Sequence, residues 1–269
     1  MAYPARLMAQ MLAVACALLL GPCSIAVADT DLRILTTEEA PANYTVQHQL
    51  TGITADIIDD LKRRLDIHTD VEVQPWARVL HTVLVRPNTL VFTLARTPER
   101  VAKGLNFIGP VTTRRHIVYK RTGAAFQVGS IADIKAQRLL VGGLRDDWRL
   151  KLMKDNGVAV DESVNHEMTI KHLMHDQVQL IVLSDLELKI DSDLAGVDAG
   201  KLEPAFVIKE APAFIAFSKG TPPELIAKWQ EAFTDFQKSD EPARLAKKWS
   251  TTLGLPIAYT PDKGFFMEH

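Results

Sequence analysis

From Leu32 onward the chain alternates short apolar runs with segments whose apolar residues recur at helical spacing, and this alternation limits the possible folds more than any other feature. Strands that must be covered by helices, repeated along a chain, build a mostly parallel sheet of the α/β class. Leu32-Arg33-Ile34-Leu35 reads as the first strand. After a polar loop containing Pro41, the residues Ile53, Ile57, Ile58, Leu61 and Leu65 fall on one helical stripe. Val71 and Val73 alternate as a strand, and a helix opens at Trp76 or Ala77 with Val79, Leu80, Val83 and Leu84 inward. Pro87-Asn88 ends it, and Leu90 to Leu94 is a buried strand.

A second α/β unit begins after Ile117-Val118-Tyr119. It holds a strand at Leu139 to Gly142, a helix from Trp148 to Met153, a turn at Asn156-Gly157 and a strand at Val158 to Val160. A helix from Met168 to His175 and a strand from Gln179 to Leu183 follow. The chain returns through Phe214-Ile215-Ala216-Phe217 and closes with helices at Pro223 to Phe236 and Pro242 to Trp249. A chain of 269 residues accommodates one large domain or two modest ones.

The amino terminus has a different composition. Arg6 precedes an apolar run from Met8 to Leu20, followed by Gly21-Pro22 and the small-residue stretch Ala26-Val27-Ala28, the order of a secretory signal peptide. The run is shorter than the ~20 residues that span a bilayer. Cleavage is expected after Ala28, giving residues 1–28 as leader and a soluble periplasmic product. Cys16 and Cys23 both lie in the leader, so the mature chain has no thiol; Pro22 ahead of Cys23 fits lipoprotein processing poorly. Losing Arg6 leaves 30 basic against 33 acidic residues, a charge of -3 that calls for neither nucleic acid nor an anionic membrane surface.

Two strand ends draw the eye chemically. Thr97-Pro98-Glu99-Arg100 is a strong helix start just past the Leu90 to Leu94 strand. It puts Arg100 at the carboxyl edge of the sheet, where open α/β sheets bind ligands. Ser184-Asp185 caps the strand that ends at Leu183, and Asp185 reads equally as a plain helix cap. Trp76 is a candidate aromatic wall or core residue, Tyr44 a candidate lid or loop-packing residue, and Arg78 and Arg96 candidate supporting charges or solvated ones. Glu38 and Glu39 could act as acid and base. His172 and His175 lie one turn apart with His166 upstream, but no third ligand completes a metal motif. Neither a phosphate loop nor a nucleophile motif is present.

The order Thr51-Gly52-Ile53-Thr54-Ala55-Asp56, Pro75-Trp76-Ala77-Arg78, Thr97-Pro98-Glu99-Arg100 and Phe107-Ile108-Gly109-Pro110 resembles the periplasmic solute-binding proteins of the polar amino acid uptake systems, the family 3 type that serves ABC transporters. The resemblance implies a two-lobed periplasmic-binding-protein-like fold of type II. Lobe 1 would comprise residues 29–117 and 214–269 and lobe 2 residues 118–213, joined by two crossover strands near Ile117 to Lys120 and Phe214 to Ser218 that form a hinge. It implies that Arg100 pairs with a ligand carboxylate, that Asp185 accepts from its ammonium and that Thr93 offers a hydroxyl. Trp76, Tyr44, Glu39 and Arg78 complete the expected ligand-binding set. The implied partners are a small polar ligand and an inner-membrane ABC permease, with the chain a monomer that needs no cofactor or metal.

Two departures bear on the ligand. Arg145-Asp146-Asp147 stands where many relatives carry a Gly-Thr pair for the carboxylate, and Glu38-Glu39-Ala40-Pro41-Ala42-Asn43-Tyr44 stands where an aromatic lid is common. A cationic ligand, or one that is not an α-amino acid, is compatible with both. The fold also resembles that of certain periplasmic dehydratases, for which Glu39 would be the catalyst, and a freely diffusing sensor is a third reading.

Overall fold

A computed structural model describes residues 32–268, so the expected leader and its cleavage point lie outside the described residues. The strands are β1 (Arg33–Thr36), β2 (Tyr44–Val46), β3 (Gln49–Thr51), β4 (Val71–Val73), β5 (Thr89–Ala95), β6 (Asn106–Arg121), β7 (Val141–Leu144), β8 (Val160–Ser163), β9 (Leu180–Ser184), β10 (Leu202–Phe217), β11 (Ile257–Thr260) and β12 (Gly264–Met267). The helices are α1 (Ile53–Leu65), α2 (Trp76–Val85), α3 (Pro98–Ala102), α4 (Ile131–Ala136), α5 (Trp148–Asp155), α6 (His166–Met174), α7 (Glu187–Ala195), α8 (Pro223–Lys238) and α9 (Glu241–Leu253). Among the described residues, no helix is long and apolar enough to cross a membrane.

The main sheet runs β4-β1-β5-β10-β6-β9-β7-β8, with parallel pairing on both flanks and antiparallel pairing around β10 and β6. Six consecutive residues of β5 are buried, as a strand covered on both faces requires. The helical stripe read from the sequence is real: Ile53, Ile57, Ile58 and Leu61 of α1 are fully enclosed.

β6 and β10 are each 16 residues long and pair antiparallel from Leu202↔Arg121 to Phe217↔Asn106. These two strands pass from one core to another. Val111 and Ala213 belong to a core with Ile34, Ile57, Trp229, Phe233 and Trp249, while Ile117 joins one with Ile170, Leu173 and Ile181, and Val118 joins another with Val141 and Met153. Between them, Thr113 to His116 face Pro212 to Lys209. The Leu202 to Ala213 part of β10 was illegible as a strand because Pro204, Lys209, Glu210 and Pro212 interrupt its apolar pattern. Register shifts at Pro204/Phe206 and Ala213/Ile215 lie beside both prolines.

Helix α7 touches both sides. Its Leu186 end and Ile190 pack into the Trp249 core, and Leu188 and Ala195 pack against the Ile170 core. The closing hairpin β11–β12 pairs with β6 at Phe265↔Thr112. Gly264 (φ 68) makes that approach possible, since a Cβ there would lie 2.4 Å from Val111 backbone atoms.

Candidate functional site

The carboxyl ends of the parallel strands, where Arg100 and Asp185 were expected to act, hold a buried network of charged side chains. Arg114 and His116 alternate with Arg115 on β6 and so share one face of the strand. Arg114 donates through Nη1 to Oε1 of Glu39 at 2.5 Å and to Oε1 of Glu187 at 3.0 Å. Arg149, in the first turn of α5, donates through Nη1 to Oε2 of Glu187 at 2.7 Å and through Nε to Asp147 at 2.9 Å. Both imidazoles approach the same guanidinium, His166 Nε2 at 3.3 Å and His116 Nδ1 at 3.5 Å. The ring of His116 also meets Trp148 edge-on at 4.9 Å. Arg114, Arg149, Glu187 and His116 are all buried.

Local structure fixes each member. Asp147 caps α5 by accepting the backbone N–H of Arg149 at 2.7 Å, so one carboxylate starts the helix and holds its first arginine. Ser184 and Glu187 form a reciprocal capping pair: the Ser184 N–H donates to Glu187 Oε2 at 2.7 Å and the Glu187 N–H donates to Ser184 Oγ at 3.2 Å. Glu39 begins a loop closed by its bridge to Asn43. Asn43 in turn accepts the Thr93 hydroxyl and donates to the Thr37 carbonyl. Thr93 sits at φ 62, a left-handed conformation costly for a β-branched residue and held only where the surroundings fix it.

Burial pushes the Glu187 carboxyl up, but Arg149 and Arg114 outweigh it and hold the group well below the usual carboxylate range. Asp147 is likewise lowered, burial being outweighed by Arg149. Glu39 is raised by burial, with Arg114 offsetting only part of it. Burial and Arg149 bring His116 down to about 3, so it is neutral, and burial lowers His166 too.

Of the residues singled out by sequence, Glu39 and His166 join this network and Trp76 lies beside Arg100, while the others occupy separate surroundings. Arg100 donates through Nη1 to the Ala95 carbonyl at 2.7 Å and its guanidinium lies 5.5 Å from the centre of the Trp76 ring. It is half-buried, burial lowers its pKa, and among the described residues it has no ion-pair partner. Asp185 turns back on β6, where its Oδ1 accepts the N–H groups of Arg115 at 3.2 Å and Leu186 at 2.9 Å. It lines a pocket of about 420 Å³ with Thr113, Arg115, Glu210 and Lys263. Tyr44 packs its ring 6.5 Å from Trp249, and Arg78 is exposed. His172 pairs with Asp161 at 2.7 Å, apart from the network that takes His166, and His175 ends α6. Arg114, Arg149 and Glu187 were missed by sequence reasoning. Ser184-Asp185-Leu186-Glu187 is a capping-box spacing that could have flagged Glu187.

The sequence profile of the bacterial extracellular solute-binding proteins, family 3, matches residues 32–252. The chain belongs to this family. No match was found among curated proteins. Solved structures similar to this family 3 protein share its fold at low identity. An arginine-binding protein from T. maritima is 15% identical with a TM-score of 0.70, over 81% of this chain and 95% of that one. A histidine kinase sensor domain with similarity to periplasmic binding proteins is 13% identical with a TM-score of 0.71, over 81% and 95%. An ancestral amino acid-binding protein, precursor of cyclohexadienyl dehydratase, is 17% identical with a TM-score of 0.68, over 81% and 94%. The β11–β12 hairpin lies beyond the part of this family 3 chain that the profile matches.

Proposed function

We propose that this family 3 protein is exported to the periplasm, captures a small polar, amino-acid-like solute between two lobes and passes it to an inner-membrane ABC permease. Residues 29–117 with 214–269 form one lobe and 118–213 the other, with β6 and β10 as the hinge. Arg100 is the carboxylate anchor. The observation that carries this reading is the state of Arg100: a half-buried guanidinium at the carboxyl end of β5, steadied by Trp76 and the Ala95 carbonyl, with no ion-pair partner among the described residues. Its planar fork suits a carboxylate through two parallel hydrogen bonds. Thr93 lies near the end of β5 and Glu39 in the loop after the neighbouring β1, and Asp185 supplies an acceptor from the second lobe.

A thermal-shift screen over amino acids, polyamines, opines and organic acids, followed by scattering with the best ligand, tests the proposal. A stabilising amino-acid-like ligand that compacts the protein supports capture between lobes. Tight binding with an unchanged radius of gyration sinks hinge closure. The raised Glu39 carboxyl beside Arg114 favours one other reading, acid–base catalysis on the same fold, and conversion of the bound solute to a product would replace capture with turnover.

A further inference from the structure

Arg114 and His116 turn from β6 into the charge network, so Thr113 and Arg115, which alternate with them, turn to the other face of the strand. Glu210 of β10 is the register partner of Arg115 and shares that face. The closing hairpin crosses here, and its turn is pinned to both long strands. The Thr113 hydroxyl donates to the Lys263 carbonyl at 2.6 Å, and Lys263 Nζ pairs with Glu210 at 2.9 Å. Between hairpin and strands lies the cavity of about 420 Å³. Small-molecule sites run from about 300 to 1,000 Å³. One wall of it, formed by Lys263, Phe266, Met267 and Glu268, lies beyond residues 32–252 and so outside the framework that the family profile matches.

Arg115 gives this cavity its chemistry. Its backbone is fixed, the N–H donating to Asp185 Oδ1 at 3.2 Å and the carbonyl accepting the Asp185 N–H at 3.0 Å. The side chain is partly buried, and among the described residues its guanidinium has neither a hydrogen bond nor an ion-pair partner. A partly desolvated fork of this kind suits a carboxylate, which takes two parallel hydrogen bonds from it. The remaining charges limit what can carry that carboxylate. Lys263 is already engaged by Glu210, while Asp185 and Glu268 add negative charge, so a purely anionic solute meets repulsion that a neighbouring ammonium relieves. Phe266 and Met267 offer apolar surface to a side chain. We propose that this cavity is a second binding site, apart from Arg100, for a small zwitterion with an apolar side chain whose carboxylate pairs with Arg115. Asp185 aside, no residue of the cavity enters the capture reading, and the two stand or fall separately.

Met267 is a built-in reporter, because the other methionines of the described residues, Met153, Met168 and Met174, lie in α5 and α6. Protein labelled with ¹³C at its methionine methyl groups is titrated with L-leucine at neutral pH, the Met267 signal being assigned with Met267→Leu. Two probes each lack one charge: isoamylamine has no carboxylate and 4-methylpentanoate no ammonium. In wild type, L-leucine should shift the Met267 methyl saturably and show a nuclear Overhauser contact between its own methyls and that of Met267. Each single-charge probe should bind about tenfold or more weakly, and Arg115→Gln should lose a similar factor for L-leucine. Arg115→Lys should recover part of it. The contact and the probe series are read in wild type, so they decide the matter even if Arg115→Gln is unstable. No saturable shift up to tens of millimolar overturns the site. A shift without the contact overturns it too, since the leucine is then bound elsewhere. Equal binding of isoamylamine removes Arg115 as the anchor, and equal binding of 4-methylpentanoate overturns the zwitterion.

Discussion

Arg149 and Arg114 donate to opposite oxygens of the same buried carboxylate, that of Glu187, at 2.7 Å and 3.0 Å. One arginine comes from a helix start and the other from the strand that links the two cores, so Glu187 ties them into a single network. Glu187→Gln retains size but leaves both guanidiniums underpaired in a buried site. Removing one partner of such a group costs about 3 to 5 kcal/mol. Urea denaturation should show that loss, and a change below about 1 kcal/mol would mean that the arginines find other partners.

Asp191 contributes to stability with the opposite sign. Its folded pKa of about 8 lies above its ordinary value of 3.8, so the folded protein binds a proton there that the unfolded chain gives up. Stability should therefore fall as pH rises from about 4 towards 8, then level off at that group. Asp191→Asn should match wild type near pH 4 and exceed it at pH 8 by at least about 1 kcal/mol. Melting curves at pH 4, 6 and 8 decide it, and a gap that does not widen with pH would show that Asp191 has a partner in solution. Glu187 and Asp147 behave in the usual acidic manner: their lowered pKa values stabilise the fold above the unfolded values, and that stability is lost as pH falls through the folded ones.

Arg100→Ala should leave the melting temperature nearly unchanged, because its direct bonds are one backbone carbonyl and one ring face. Ligand binding should weaken by about 30-fold to several thousand-fold, the usual result of removing one partner from a desolvated charge pair. Arg100→Lys should recover part of that, since a point charge lacks the planar fork. Titration of all three proteins with the best ligand is the measurement. An alanine variant within threefold of wild type would place the anchor elsewhere.

Gly52 starts α1 at φ 132, and a Cβ built there would lie 2.2 Å from the Ala42 carbonyl oxygen. Gly52→Ala must therefore move the loop that carries Glu39 and Asn43. We expect a loss of at least about 2 kcal/mol in denaturant unfolding, together with weaker ligand binding. Unchanged stability would mean that the loop yields freely.

Much of the fold was legible because its signals are local. The α1 stripe, the buried Leu90 to Leu94 run of β5 and the Thr97 cap, which accepts the N–H of Arg100 at 3.3 Å, each rest on neighbours in sequence. The charge network was not legible for the opposite reason. Glu39 and Arg114 are 75 positions apart, and Arg149 and Glu187 are 38 apart. Apart from Glu39, which was singled out as an acid, base or ligand group, each taken alone reads as a solvated surface residue, and only the strand order brings them together. Asp147 was noticed as a departure from relatives, yet its pairing with Arg149 two positions later turns an apparent repulsive charge into a neutralised cap.

Helix α7 also bears on the hinge motion proposed above. Leu186 and Ile190 insert into the core of Trp249 and Phe233, whereas the helix itself follows a strand of the other side. Any swing that parts the two sides must withdraw Leu186 into water, at roughly 1.5 to 3 kcal/mol for a fully buried leucine. In the hinge motion proposed above, that figure would work as a detent: a sprung catch that favours the shut jaw before cargo arrives and sets how much of the population stands ajar to receive it.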